Sequence, residues 1–198
     1  MAHPALQDLY GASYVDHTYV NGVNHAVGQF NPHAGRRWSV KNYVAIAGDQ
    51  DWLAEEKRRE WGYYGLFPNA VIAVTPETVQ FYQEFPLSVG QTLLRSAVYR
   101  RPQESRKQKL ARYLARRIDR ETYLEDIQLS IWSNESMKSS AFEDFHLSDL
   151  ECGVKSHHDH IRAILPVANL RDRPGEDQVA SLNAALKSGT LQDEPVPA

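Results

Sequence analysis

The spacing of apolar residues changes abruptly near residue 100, and no other property of the sequence narrows the choice of fold as much. Before this point, three short runs predict strands at Ala70 to Thr75, Thr78 to Phe85 and Gln91 to Arg100. These runs are β-branched or alternate between two faces, and proline or glycine separates them. Three consecutive strands with such short connections predict an antiparallel meander.

After residue 100 the period becomes helical. From Glu104 to about Ser139 apolar residues recur at intervals of three and four, which predicts a long helix. Whether it breaks between Asp119 and Thr122 stays open. A second helix is predicted from Leu150 to Val167, with Pro166 marking its end. A meander followed by helices that must cover one face is an α+β domain, so we predict an antiparallel sheet wrapped around a long helix, a helix grip.

The two ends of the chain are less regular. The first 65 residues are rich in Gly, Asn, His and Tyr, and they predict a strand at Arg37 to Ile46 and a short charged helix at Asp51 to Trp61. Beyond Asn169 a polar tail begins, with at most one weak helix near Val179 to Leu186. We therefore expect one domain over residues 1–169 and a tail over residues 170–198.

Composition excludes several classes of protein. The chain has 198 residues, 42% hydrophobic and 24% charged, which is typical of one globular domain with a real core. A net charge of -3 gives no reason to expect nucleic acid or an anionic membrane as partner. No secretory signal and no membrane-spanning apolar run is seen. The single cysteine, Cys152, fits a reducing cytosol and a cytoplasmic location.

Eight histidines form two groups, near the start at His3, His17, His25 and His33 and near the end at His146, His157, His158 and His160. Three of the second group are predicted on one helix at spacings of one, two and three, so they point in different directions. They indicate a partly exposed helix face better than a metal site. Spacing alone says little about the first group.

Asp126 lies beside the apolar stripe of the long helix. A buried carboxylate there would cost several kcal/mol unless it were paired or bound to a metal ion. From periodicity alone, an exposed acidic turn shared with Glu121 and Glu125 is the preferred interpretation.

Basic residues are dense between Arg100 and Arg120, which raises nucleic-acid binding as another function. An acidic run follows them directly and no base-stacking motif accompanies them. A solvated helix face, or a docking surface for an acidic partner subunit, explains them better.

Four motifs then occur in a fixed order over the last two-thirds of the chain: Leu66-Phe67-Pro68-Asn69, Arg100-Arg101-Pro102, the segment Leu124 to Phe142, and Glu151-Cys152-Gly153-Val154. This ordered set resembles the catalytic domain of Rieske non-haem iron (aromatic ring-hydroxylating) oxygenase alpha subunits. The chain departs from the family pattern at Asn134 and Ser136, where Gln and Gly are usual, and it retains Ser139.

The resemblance implies a mononuclear Fe(II) site made by two histidines and one carboxylate. Asp126 corresponds to the carboxylate, and His3, in Met1-Ala2-His3-Pro4, resembles the second histidine of the family's His-x4-His element. The first histidine would then lie before Met1, and the chain would be the C-terminal part of a longer protein. Ile127, Ile131 and inward residues of the meander are expected to line the substrate pocket.

The resemblance also implies an oxygenase that inserts dioxygen-derived oxygen into an aromatic or related organic substrate. Electrons would pass from NAD(P)H through a reductase or ferredoxin to a [2Fe–2S] cluster, and a neighbouring subunit of a homotrimer would supply that cluster to the iron. A chain with one cysteine cannot hold such a cluster, so we expect this chain alone to be inactive. A rival interpretation is a metal-free module that binds hydrophobic ligands with the same START-like grip, or an inactive remnant.

Overall fold

The computed structural model describes residues 3–19, 21–48, 50–142, 146–149, 151–170, 172 and 174–191. Three predicted features lie partly outside the described residues: Met1 and Ala2 of the Met1-Ala2-His3-Pro4 segment, the helix start at Leu150, and residues 192–198 of the tail. Within the described residues, the helices are α1 (Pro4–Tyr10), α2 (Trp38–Ile46), α3 (Arg106–Ser136), α4 (Cys152–Ile164) and α5 (Val179–Ser188). Two short 3-10 helices span Glu55–Lys57 and Pro166–Asn169.

The described strands are β1 (Val15–Thr18), β2 (Val23–Gln29), β3 (Glu60–Leu66), β4 (Ala70–Val74), β5 (Thr78–Ser88) and β6 (Gln91–Arg100). They form one sheet whose spatial order follows the chain, β1 to β6, and every neighbouring pair is antiparallel. The predicted three-stranded meander is confirmed as β4, β5 and β6. The sheet also includes three earlier strands that the sequence did not predict.

The long helix α3 is confirmed, and it runs without a break through residues 119–122. Its start is fixed by a capping box, in which the Ser105 hydroxyl accepts from the Gln108 amide at 3.2 Å and the Gln108 side chain accepts from the Ser105 amide at 2.9 Å. Polar side chains between residues 119 and 122, where a break was left open, bond to other parts of the fold. Gln80 donates to Asp119 at 2.8 Å, and Arg37 donates to Glu121 at 2.8 Å.

The main core lies at one end of the sheet, where α1 and α2 pack against the first half of α3. Its largest fully buried side chains include Trp61, Tyr10 and Tyr43. The Trp61 indole donates to the Tyr43 hydroxyl at 2.7 Å, and this hydroxyl donates to Glu77 at 2.9 Å. Burial raises the pKa of Glu77 to about 7.

Two predictions for the first 65 residues are wrong. The segment predicted as a strand at 37–46 is helix α2, whose buried residues Val40, Tyr43 and Val44 follow a helical spacing and pack on α3. The predicted charged helix at 51–61 is reduced to the single turn Glu55–Lys57, because Glu60 and Trp61 pair with β2 as the start of β3.

The second predicted helix is confirmed as α4, which ends before Pro166. The weak helix in the tail is confirmed as α5, and its Asn183 side chain accepts from the Val167 amide at 3.3 Å. In the part of the chain that the structure describes, no helix is both long and apolar enough to cross a bilayer.

Candidate metal and substrate site

His3 immediately precedes α1, and this short helix fixes its position against α3. The His3 carbonyl accepts from the Gln7 amide at 2.8 Å, and Pro4 occupies the first turn, where its missing N–H costs nothing. Ala5 and Leu9 are fully buried in the core shared with α3. The packing of α1 therefore places His3 beside one particular turn of α3.

The turn beside His3 carries Glu125 and Asp126. His3 Nε2 lies 3.3 Å from Asp126 Oδ1, and His3 Nδ1 lies 3.2 Å from Glu125 Oε2. The three side chains are 19%, 35% and 52% exposed for His3, Glu125 and Asp126, so this cluster is open on the side of Asp126. Two residues predicted from the resemblance as iron ligands, His3 and Asp126, are thus brought into contact although they are far apart in sequence.

The other histidines lie elsewhere. His17 and His25 are directly opposite each other on β1 and β2, and His25 stacks on Tyr64 with ring centroids 4.4 Å apart. On α4, His157 and His160 are half-buried and both contact the ring of Phe67. Within the described ranges, no group of three or more His, Cys, Asp or Glu side chains is arranged to hold a metal ion.

A wide groove of about 2380 Å³ runs between the sheet and α3, and Asp126 lies on its wall. Ile127 and Ile131, which were predicted to line the pocket, also border this groove. The sheet presents its more polar face to the groove, with Gln80 and Tyr82 among the lining residues. Sequence alternation separated the two faces of β5 correctly and left open which of them would meet the helix.

A polar bridge crosses the groove from sheet to helix. Gln80 donates to Asp119 Oδ2 at 2.8 Å and accepts from the Tyr82 hydroxyl at 3.2 Å. Burial raises the pKa of Asp119, while the bond from Gln80 partly opposes this increase. Burial also raises the pKa of Tyr82, so the phenol is a neutral hydrogen-bond donor at physiological pH.

Asp16 and Asn24 form a second polar pair in the groove that the sequence did not single out. The Oδ1 atoms of both residues are buried and have no hydrogen-bond partner among the described residues. Burial raises the pKa of Asp16. Little in the sequence indicated these two residues, because β1 and β2 do not alternate clearly between polar and apolar positions.

Asp16 and Asn24 explain why a glycine occurs in the motif Glu151-Cys152-Gly153-Val154. A Cβ atom at Gly153 would lie 3.3 Å from Asp16 Oδ2 and 3.5 Å from Asn24 Nδ2. Glycine therefore lets the start of α4 approach β1 and β2 closely. The Phe-Pro-Asn motif also has a structural role, because the Asn69 side chain donates to the Glu84 carbonyl at 2.7 Å and ties the β3–β4 turn to β5.

Two solved structures are similar to this one. A quaternary ammonium Rieske monooxygenase, studied for carnitine oxidation by gut microbiota and inter-subunit electron transfer, matches with a TM-score of 0.56 and 17% identity. The quaternary ammonium Rieske monooxygenase CntA in complex with an inhibitor matches with a TM-score of 0.54 and 18% identity. Each match covers 82% of this chain and 42% of the other, so the chain spans less than half the length of these relatives.

No curated protein sequence is significantly similar to the chain. The family profile described as "Ring hydroxylating alpha subunit (catalytic domain)" matches residues 1–166, which is most of the sequence. This match agrees with the similarity in fold to the two Rieske monooxygenase structures. The chain belongs to the family of ring-hydroxylating oxygenase alpha subunits and carries their catalytic domain fold.

Proposed function

We propose that this chain is the iron-binding and substrate-holding part of a Rieske-type non-haem iron oxygenase, and that His3 and Asp126 are ligands of mononuclear Fe(II). The observation that supports this most directly is the 3.3 Å approach of His3 Nε2 to Asp126 Oδ1. These atoms come from α1 and α3, which are distant in sequence, and both are donors of the kind that the two-histidine, one-carboxylate iron sites use.

The spacing of the two donors fits a shared ion. Two ligands with metal bonds of about 2.1 Å lie no more than about 4.2 Å apart, and the observed distance falls inside this limit. A facial triad needs a third ligand. On the family pattern it is a histidine five positions before His3, and we propose that sequence outside these 198 residues provides it.

The side chains around the ion position would bind and orient the substrate. Asp126 and His3 would hold the iron at the wall of the groove, where the metal, when present, provides the activation of dioxygen. Ile127 and Ile131 lie along the same wall and would keep water from the reacting region. Gln80 and Tyr82 would meet polar groups of an organic substrate from the sheet side.

Electrons would reach the iron from outside this chain. The single cysteine cannot ligate a [2Fe–2S] cluster, so the cluster would belong to another domain or another chain, supplied in turn by NAD(P)H through a reductase or ferredoxin. A homotrimer in which a neighbouring subunit provides the cluster fits the inter-subunit electron transfer named for one similar structure. The chain alone would then be inactive, and a cytoplasmic location is expected for such an enzyme.

Metal titration of the 198-residue chain tests the ligand assignment. Anaerobic Fe(II), or Co(II) followed by visible absorbance, should bind with one equivalent in the wild type. We expect His3→Ala and Asp126→Ala to show no binding at concentrations that saturate the wild type. Glu135→Ala, an exposed carboxylate change on the same helix, is the matched control and should bind as the wild type does. If Asp126→Ala binds metal normally, the ligand assignment is wrong.

A metal-free module that binds hydrophobic ligands is the second candidate. Two observations support it. The groove is large, and among the described residues no group of three or more His, Cys, Asp or Glu side chains is arranged to hold a metal ion. Such a protein would bind an apolar dye or a lipid with equal affinity in chelator and in Fe(II). An affinity that depends on the metal would favour the oxygenase instead. Trial substrates for the oxygenase should include aromatic acids and quaternary ammonium compounds.

A further inference from the structure

We infer that Glu125 is a positioning residue that orients the His3 ring so that Nε2 faces the proposed metal position. This inference rests on the proposed function. It concerns the neighbour of the proposed carboxylate ligand, a residue that sequence reasoning placed in an exposed acidic turn. The observation behind it is that the two carboxylates of the Glu125-Asp126 pair contact opposite nitrogens of one imidazole.

Ring geometry separates the roles of the two carboxylates. The nitrogens of an imidazole lie on different edges of the ring, and the directions of their N–H bonds or lone pairs diverge. Glu125 contacts Nδ1 at 3.2 Å and Asp126 contacts Nε2 at 3.3 Å. An ion bound to Nε2 therefore lies on the side of Asp126 and away from Glu125. In this geometry Glu125 does not face the ion position that His3 Nε2 and Asp126 share.

The helix explains how adjacent residues reach both edges of the ring. Consecutive side chains on an α-helix differ in direction by about 100°. Residues 125 and 126 of α3 therefore straddle a ring that approaches the helix from α1. Glu125 is the less exposed of the two carboxylates, at 35% against 52%, which suits a hydrogen-bond partner more than an open ligand.

The contact with Glu125 also selects a tautomer. A histidine binds metal through a neutral ring whose ligating nitrogen carries no proton. A carboxylate that accepts from Nδ1–H keeps the remaining proton on Nδ1 and leaves the Nε2 lone pair for the metal. Metal-binding histidines commonly have such a carboxylate partner, and losing it typically weakens metal binding about 10- to 100-fold.

Two measurements on the 198-residue chain test this role. The first is titration with Zn²⁺ of the wild type, Glu125→Ala, Glu125→Gln and the control Glu135→Ala. We expect the affinity of Glu125→Ala to fall about 10- to 100-fold. Glu125→Gln keeps an acceptor oxygen and should recover most of the loss, while Glu135→Ala should match the wild type.

The second measurement is ¹⁵N NMR of the His3 ring in Zn²⁺-loaded protein. In the wild type we expect a proton on Nδ1 and metal coordination at Nε2. In Glu125→Ala the ring should lose this preference and show a mixture of the two coordination modes. A residue that merely supported the fold would leave the tautomer unchanged, so this signature separates positioning from stability. If Glu125→Ala does not fold, the Glu125→Gln spectrum still reports the tautomer.

The outcomes distinguish this inference from the proposed function. Normal Zn²⁺ affinity in both Asp126→Ala and Glu125→Ala would overturn the proposed function itself. Weak binding in Asp126→Ala with normal affinity and an unchanged tautomer in Glu125→Ala would overturn the positioning role alone. Loss of binding in Glu125→Gln as complete as in Asp126→Ala would make Glu125 a ligand, which also overturns the positioning role.

Discussion

The two halves of α3 are equally rich in apolar residues, yet only the first half contributes buried residues. Ala111, Leu114, Ala115 and Ile118 are 0–5% exposed in the core with α1 and α2. The second half carries large side chains that are 41–57% exposed, namely Tyr123, Leu124, Ile127, Leu129, Ile131 and Trp132. Helical spacing therefore does not reveal which part of a long helix packs. The short helices α1 and α2 decide it, because they cover only the first half.

The exposed half is also the half that carries the proposed site. Asp126 follows the last buried residue of α3, Ile118, by about two turns and lies on the wall of the groove, which also runs along the exposed side of the first half. Stability and binding are thus assigned to different halves of one helix. Matched substitutions in the two halves should separate these properties.

The largest contrast should come from two isoleucines. Ile118→Ala should lower the free energy of unfolding by about 2–5 kcal/mol, because it leaves a cavity in a packed core. Ile131→Ala should change it by less than about 1 kcal/mol, since the side chain is already about half exposed. Chemical denaturation of both variants measures the difference. Equal losses would mean that the second half is packed in solution.

The core beside the first half should make stability depend on pH through Glu77. Burial raises the pKa of this carboxyl from 4.5 to about 7, so the folded state binds its proton more tightly than the unfolded state does. The stabilisation is complete below about pH 4.5 and is lost as pH rises through about 7. Between about pH 5 and about pH 8 the free energy of unfolding should fall by roughly 3 kcal/mol more in the wild type than in Glu77→Gln. Denaturant titrations at a series of pH values measure this difference. If the free energy of unfolding falls equally with pH in both proteins, the prediction is wrong.

A smaller effect is expected at the start of the buried half. Ser105→Ala removes one bond of the capping box and should lower the free energy of unfolding by about 1 kcal/mol. Ser133→Ala in the exposed half removes no cap and should be neutral or slightly stabilising, since alanine is the better helix former. Thermal melts of the two variants provide the comparison, and a loss at Ser133 would show an unrecognised contact there.

The smallest effect on folding should come from the proposed ligand itself. In chelator, Asp126→Asn should change the free energy of unfolding by less than about 0.5 kcal/mol, because the Asp126 side chain that contacts His3 is half exposed. Urea denaturation measures this change. A loss above about 1 kcal/mol would mean that the pair with His3 is a structural contact rather than a ligand pair.

The part of the fold that could be predicted from sequence is the part made by local patterns. Strands β4 to β6 are β-branched or alternating runs joined by short turns, and α3 has helical spacing over its whole length. Strands β1 to β3 do not alternate clearly. A short connection joins β1 to β2, but β3 pairs with β2 across about thirty residues that include α2. Helix α2 was mistaken for a strand because its β-branched residues conceal a helical burial pattern that only the packing against α3 makes evident.

The resemblance to a family predicts His3 and Asp126 as ligands, whereas periodicity does not. Periodicity favoured an exposed acidic turn around Asp126, and Asp126 is in fact half exposed. What no local pattern could predict is the partner, because His3 lies 122 positions from Glu125. For the same reason, the half-buried residues Asp16 and Asn24 could not be predicted, since the burial of their Oδ1 atoms depends on α4 packing against β1.

The agreement between strand order and chain order has a consequence for how the site assembles. Each strand meets its neighbour in sequence, whereas the contact of His3 with α3 closes a loop that contains the entire sheet. The entropic cost of closing such a loop increases only slowly with its length, so a modest helix such as α1 suffices to hold it closed. An ion bound to both His3 and Asp126 would join the two ends of this loop and stabilise its closed form. Its binding energy would then appear as slower amide hydrogen exchange throughout α1, before any turnover is measured.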